Sequence, residues 1–268
     1  MPDVYTHGHH DSVLRSHRWR TAENSAAYLL DELTPGLRLL DVGCGPGTLT
    51  VDLASRVAPG GVVGVDVAGD VIAEAVAYAE AQGCANVDFH VGDFRALDLA
   101  RGSFDVAHAH QVLQHLEDPV GALVDMGKLV RPGGIVAARD SDYTAFTWAP
   151  DNEGLDRWLA AYLAVTRQNR AEANAGRHLL AWAHAAGFED VSFTTSTWTF
   201  ASAADRAWWS DLWAERSVSS AFAEQAVRYG IASEAELADI AAAWRTWGAT
   251  PDAVLVILHG EIVCRVPA

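Results

Sequence analysis

A chain of 268 residues suits one elaborated domain or one domain carrying a cap, and a hydrophobic content of 50% supplies a sizeable core and excludes global disorder. The formal charge of −16 speaks against nucleic acid and anionic membrane as main partners, because both need a basic face, and points to a small-molecule ligand. No apolar run long enough to span a bilayer and no charged-then-apolar leader occurs, so a soluble, cytoplasmic protein is expected.

The opening His7-Gly8-His9-His10 invites a metal, yet no acidic or cysteine partner stands nearby at ligand spacing, so no metal site is expected. Cys44, Cys84 and Cys264 are far apart and odd in number, which supports neither a disulfide framework nor a cysteine zinc site. Residues 11–33 read as helical and stop before Thr34-Pro35-Gly36. From residue 37 to 140, short β-branched runs alternate with helical stretches. Strands are expected at 37–42, 61–66, 86–91, 104–110 and 133–140, and helices near 48–57, 69–82 and 118–130. The strands are mostly apolar, as strands covered on both faces are. Val71, Ile72, Ala75, Val76 and Ala79 keep helical spacing, and Gly83 supplies the stop. Such alternation predicts an α/β fold with a doubly wound parallel sheet. Further on, 189–200 and 251–266 read as late strands. The intervening 152–186 and 201–250 read as helical, the latter with a cap at Ser233 answered by Glu236. The expected organisation is therefore an N-terminal helical segment 1–36, a core 37–140, helical cap insertions at 141–188 and 201–250, and core strands at 189–200 and 251–268.

Leu39–Thr48 reads LLDVGCGPGT: an apolar strand ending in an acid, then glycine at 43, 45 and 47. Open parallel sheets bind ligands beyond the carboxyl ends of their strands. Residues without Cβ permit positive φ and let a ligand lie against the backbone. Gly43, Cys44, Gly45 and Gly47 are therefore cofactor-binding candidates, with Asp41 a candidate anchor for an ammonium group. A nicotinamide dinucleotide asks for G-x-G-x-x-G, whose third glycine would fall on Thr48; the observed spacing is G-x-G-x-G. Asp66, 23 residues after Gly43, ends the second strand, where a carboxylate accepts both hydroxyls of a ribose. Asp93 and Phe94 follow the third strand, where a carboxylate accepts an adenine amino group and Phe94 and Val67 sandwich the ring. The alternative for Asp93 is to cap the short helix that follows it.

With these motifs in order, the sequence resembles the class I S-adenosylmethionine-dependent methyltransferases. LLDVGCGPG is similar to their first motif, GVVGVD to the segment bearing the ribose acid, and GDF to the adenine contact. LVRPGGIVAARD is similar to their fifth strand and its lead-in. HQVLQHLEDP, at 110–119, is similar to the segment after strand four in the subgroup with quinone-biosynthesis and sugar methyltransferases. The likeness covers 37–140 closely, and AAGFEDVSF with the terminal strand more loosely. It implies a Rossmann-like, seven-stranded, mostly parallel sheet whose last strand is antiparallel, with S-adenosyl-L-methionine as cofactor. His110 and Gln111 are then expected to touch the cofactor through the backbone. It also implies a lid before the first strand, in which Tyr5 and His10 approach the methionine end and Arg20 takes its carboxylate. The other reading of that segment is a frayed terminus.

In-line displacement on a sulfonium rests on positioning and on exclusion of water. A base is needed only where the acceptor holds its proton tightly. His115, after strand four, is the candidate base, with an imidazole expected to titrate near neutrality. Asp142, together with Asp140, is the candidate for orienting it or the acceptor. The alternative for His115 is a structural histidine bonded to backbone. Nine of the ten tryptophans lie after residue 147. Most are expected in a cap core, while Tyr143, Phe146, Trp148, Trp209 and Trp213 are candidates for the roof over a flat, apolar or aromatic acceptor. Methylation of a small molecule of secondary metabolism, at oxygen, is the expected activity. The alternatives are a cyclase or rearrangement catalyst that keeps the cofactor, and a module that only senses it. The acidic, tryptophan-rich cap also offers a face for a homodimer.

Overall fold

Alternate strand residues face opposite helical layers, and this period of two builds the core. The computed structural model describes residues 5–8 and 10–267. Strands β1 (Leu39–Val42), β2 (Val62–Asp66), β3 (Val87–Val91), β4 (Phe104–His110) and β5 (Val130–Ser141) lie parallel in the order β3-β2-β1-β4-β5. Leu39, Val62, Val106 and Ala137 face a layer containing α2 (Ala22–Ser25) and α3 (Thr48–Val57). Their neighbours Leu40, Val63, Ala107 and Val136 face the opposite layer, which contains α5 (Pro119–Leu129) and α7 (Ala175–Ala185). Helix α4 (Gly69–Ala81) packs beside α3 and on β2 and β3. A sheet covered on both faces leaves only the strand ends open for a ligand.

The long β8 (Val254–Arg265) runs antiparallel to β5, Ser141 opposite His259 and Ile135 opposite Arg265. Its other edge pairs antiparallel with β7 (Val191–Phe200). The three-residue β6 (Thr147–Ala149) pairs with Val254–Val256 beyond the end of β5. Eight strands are thus formed among the described residues, one more than expected, and the extra one is β6. Only β8 runs against the rest.

Helices α6 (Glu153–Gln168), α8 (Ala203–Ser219), α9 (Ala221–Arg228) and α10 (Glu234–Ala249) form a cap with its own core. Trp158, fully buried, has its ring centroid 4.6 Å from Trp213 and 4.9 Å from Trp244. The capping box between Ser233 and Glu236 begins α10. The 141–188 stretch, expected to be wholly cap, divides. Its α6 joins the cap, whereas Leu179 and Ala183 of α7 bury against the sheet core. Gly176 makes this approach achievable, since a Cβ there would stand 2.8 Å from Asp140 O and Gly260 N.

The N-terminal residues are tied down. Helix α1 (Asp11–Arg18) is capped by His10, whose Nδ1 accepts from Ser12 N at 3.3 Å, and packs on α8. Before it, Thr6 Oγ1 accepts from Asn169 Nδ2 at 3.0 Å, and His7 Nε2 lies 2.9 Å from Tyr162 Oη. This strap crosses from the cap to the strand ends. His9 lies outside the described residues.

Candidate active site

The first glycine turn begins where β1 ends. Gly43 N donates to Val65 O at 2.8 Å, which draws the turn against the end of β2. Gly43 and Gly45 hold φ of +67° and +56°, a region costly for residues with Cβ. Both line a cleft of about 660 Å3 at the carboxyl ends of β1, β2 and β4, within the size range of small-molecule sites. Asp66 sits at the same edge. Its carboxylate accepts from Gly45 N at 3.1 Å and Ala68 N at 3.0 Å, which fixes it while leaving lone pairs for a ligand. Val67, 69% exposed, and buried Phe94 form two sides of an apolar slot with Val71 and Leu116. Asp93 lines the slot too, and its carboxyl is held below the usual carboxylate range chiefly by hydrogen bonds from Arg95.

Three residues expected at the cofactor do not face the cleft. Asp41 is buried beneath it, accepting from Thr50 Oγ1 at 2.6 Å and lying 2.8 Å from His108 Nδ1, so its carboxylate braces the turn and reaches no ammonium group. Cys44 is buried with its thiol pushed up, first by burial and then by Asp41 and Asp66. Gly47 begins α3 at φ +82°; a Cβ there would stand 2.8 Å from Ala75 Cβ, so this glycine serves the contact between α3 and α4.

At the end of β4, Gln111 adopts φ +54°, unusual for a residue with a side chain and a known mark of functional sites. Its Oε1 accepts from Arg20 Nη2 at 2.8 Å, and its Nε2 donates to Ser141 Oγ at 2.9 Å. Gln111 therefore meets the site through its side chain, while its backbone N–H donates to Arg139 O at 2.7 Å. Arg20 Nε has no partner among the described residues. Burial lowers the Arg20 pKa to about 10. His110 lines the cleft, both its ring nitrogens lack partners among the described residues, and burial drives its pKa well down. His115 is neutral for the same reason: burial, then Arg20, lowers it to about 3, which corrects the expectation of titration near neutrality. Its Nε2 lies 3.1 Å from Gln114 Nε2 and its Nδ1 has no partner among the described residues.

Behind the cleft lies a second, inner cavity of about 30 Å3 beneath the cap. Tyr5, His17, Arg20, Gln111 and His115 line both spaces and form the wall between them. Tyr143, Phe146, Trp209 and Trp213 line the inner cavity, as does Trp198 of β7. Trp148 does not; it packs edge-on against Trp158 at 6.4 Å in the cap core. Asp142 does not line either space. Its buried carboxylate accepts from Arg177 Nε and Nη2 of α7, an ion pair that leaves it no contact with an acceptor. Asp140, also buried, accepts from Gln114 N at 3.2 Å and is raised to about 7 by burial, so it braces the loop after β4.

The sequence did not place His17, Trp198 or Arg216 at the site, and His7 read there only as part of a metal-binding or lid segment. An arginine inside a helical stretch normally reads as solvent-facing, and only the packing of α8 on α1 buries Arg216. For His17, the helical spacing from Val13 and Leu14 was the one available cue.

An adenosyl sulfonium fits these residues. Side-chain-free turns, a fixed carboxylate at the β2 end, an apolar slot and a guanidinium with an unpartnered Nε match its amino-acid, ribose, adenine and carboxylate parts. A family model described as a methyltransferase domain matches residues 33–204. An uncharacterised methyltransferase of Schizosaccharomyces pombe is 31% identical over 270 residues, covering 97% of this chain and 96% of that protein. The crystal structure of the [4+2]-cyclase SpnF is 25% identical with a TM-score of 0.57, covering all of this chain and 89% of that one. A phosphoethanolamine N-methyltransferase of Haemonchus contortus, solved with S-adenosyl-L-methionine, matches in fold at 17% identity and a TM-score of 0.57, over 90% of this chain and 52% of that one. The chain therefore belongs to the methyltransferase-domain family of S-adenosylmethionine-dependent enzymes, and S-adenosylmethionine is its cofactor.

Proposed function

We propose that the chain methylates an oxygen of a small, flat acceptor seated in the inner cavity, between the N-terminal strap and the cap. One observation carries the reading: the cofactor cleft and the aromatic cavity share a single wall, built from Tyr5, His17, Arg20, Gln111 and His115. A group placed across that wall from the cofactor is enclosed by Tyr143, Phe146, Trp209 and Trp213, surfaces that suit a planar apolar ring.

When bound, S-adenosylmethionine supplies an electrophilic methyl carbon on sulfur. The chain's own residues bind, orient and dehydrate. Gly43 and Gly45 offer bare backbone, Asp66 takes the ribose hydroxyls, and Asp93, Phe94 and Val67 hold the adenine. Arg20 takes the methionine carboxylate with Gln111 fixing its guanidinium, and Tyr5 and His110 close the remaining sides. Neutral His115 accepts or donates a single hydrogen bond at the wall; with a pKa near 3 it is too weak a base to draw a proton from an alcohol at neutral pH. Acceleration then comes from alignment and water exclusion. The inner cavity has room for only one or two waters, so the strap that carries Tyr5 must move aside both to admit an aromatic acceptor and to open the shared wall. The acceptor oxygen then reaches the methyl carbon in line with the departing sulfur.

Incubation with S-adenosylmethionine and a panel of hydroxylated aromatic compounds tests this. The expected result is methylated product and S-adenosylhomocysteine in equal amounts by mass spectrometry. A second reading, a cyclisation in which the cofactor is only held, draws on the 25% identity to a [4+2]-cyclase. Product of unchanged mass, formed without S-adenosylhomocysteine, would favour it over methylation.

A further inference from the structure

The inner cavity has an unusual charge balance for a chain of formal charge −16. Its described lining contains two arginines, Arg20 and Arg216, and no aspartate or glutamate. Arg20 also lines the cleft, where the proposed function assigns it to the cofactor. Arg216 lines the inner cavity alone.

Arg216 is 3% exposed and forms no ion pair among the described residues. Uncompensated burial of a guanidinium is costly, and burial lowers its pKa only to about 10, so it remains charged. Arg15 of α1 has taken the acids Asp211 and Glu215 of α8 for itself. What Arg216 does have is fixed geometry. Its Nη2 donates to Ser12 O at 2.9 Å and Ser16 Oγ at 3.1 Å, and its plane lies 4.4 Å from the Trp213 ring centroid. Its Nε has no partner among the described residues, and neither have the indole N–H groups of Trp209 and Trp213. Three buried donors on residues that line the cavity thus lack acceptors among the described residues. Buried donors ordinarily have partners, and a charged N–H of this kind matches one oxygen of a carboxylate.

We infer that the acceptor carries a carboxylate, held by Arg216 at the end of the inner cavity remote from the cofactor, with the reacting oxygen directed to the shared wall. This deepens the proposed function and rests on it. An amine acceptor is disfavoured by the same cations. The carboxylate is a handle here, and the methyl goes elsewhere on the molecule.

The test is calorimetry on the full-length protein saturated with S-adenosylhomocysteine, titrated with hydroxybenzoates, their methyl esters and the matching hydroxybenzylamines. The acids should bind about tenfold or more tightly than the esters, and the amines should bind more weakly than either. Arg216→Met should erase the preference for acid over ester, and Arg216→Lys should retain part of it. S-adenosylhomocysteine affinity, expected to be unchanged in both variants, reports that they fold. Acids bound no better than esters by the wild type, whether both bind or neither does, would overturn the inference, as would a preference that survives in Arg216→Met. Failure of the wild type to bind S-adenosylhomocysteine would instead remove the reading beneath it, and the inference too.

Discussion

Asp66 and Asp41 lie at the ends of neighbouring strands, yet their surroundings separate their roles. Asp66 borders the cleft with its carboxylate pinned by two backbone N–H groups. Asp66→Ala should weaken S-adenosylhomocysteine binding by roughly ten- to a hundredfold, the worth of charge-assisted bonds of about 1.5–3 kcal/mol, measured by calorimetry. Asp41→Ala removes the partner of buried Thr50 and His108. It should cost ~1–3 kcal/mol of stability in urea denaturation. His115 gives a sharper contrast. Held near 3 by burial and Arg20, it stays neutral throughout the physiological range. The pH–rate profiles of wild type and His115→Gln should therefore share one midpoint, set by the acceptor's own hydroxyl. A limb near neutrality that vanishes in the variant would restore His115 as the base.

At the scale of elements, strap and cap depend on one another. Gly8 has φ +65° and sits where a Cβ would stand 2.8 Å from Ala221 Cβ of α9. Gly8→Val should lift the strap from the cap, raise acrylamide quenching of tryptophan emission and reduce turnover more than it weakens cofactor binding. Equal losses in both would show that the strap serves the cofactor alone. The cap itself stands on stacked indoles. Trp158→Ala would open a void among Trp213, Trp244 and Tyr162 and should cost about 3–5 kcal/mol of unfolding free energy. Helical spacing had revealed these helices, and the box at Ser233 and Glu236 had marked the start of α10. The assignment of α7 to the sheet layer needed the close approach at Gly176, which no spacing encodes. Likewise β6 is too short to announce itself in three residues.

Across the whole molecule, neutral histidines set the response to acid. His7, His17, His110, His115 and His259 all have folded pKa values depressed below 6.5, first by burial. Unfolding lets each bind a proton below about 6.5, so the unfolded state holds more protons there and stability falls as pH drops. Asp140 acts oppositely: raised to about 7, it contributes stability as pH falls from 7 toward the usual carboxylate range. Five sites outweigh one. The melting temperature should hold above pH 6.5 and decline toward pH 5, and a flat or rising trend in calorimetry would contradict the enclosure of these rings.

The sequence by itself determined the layered sheet, the glycine turn and the acid at the end of β2, because each is written in local terms: apolar runs of strand length, residues without Cβ, a carboxylate at a strand end. It also picked out Tyr143, Phe146, Trp209 and Trp213, which line the inner cavity. Tertiary structure alone decided which of those side chains face a ligand. Asp41, Cys44, Gly47, Asp142 and Trp148 carry suitable chemistry but spend it on Thr50, the core, Ala75, Arg177 and Trp158. Conversely His17, Trp198 and Arg216 reach the site only because α1, β7 and α8 converge there from distant parts of the chain. A pKa follows the same rule. His115 is set by burial and by Arg20, ninety-five positions away in sequence, and proximity of that kind exists only once the chain has folded.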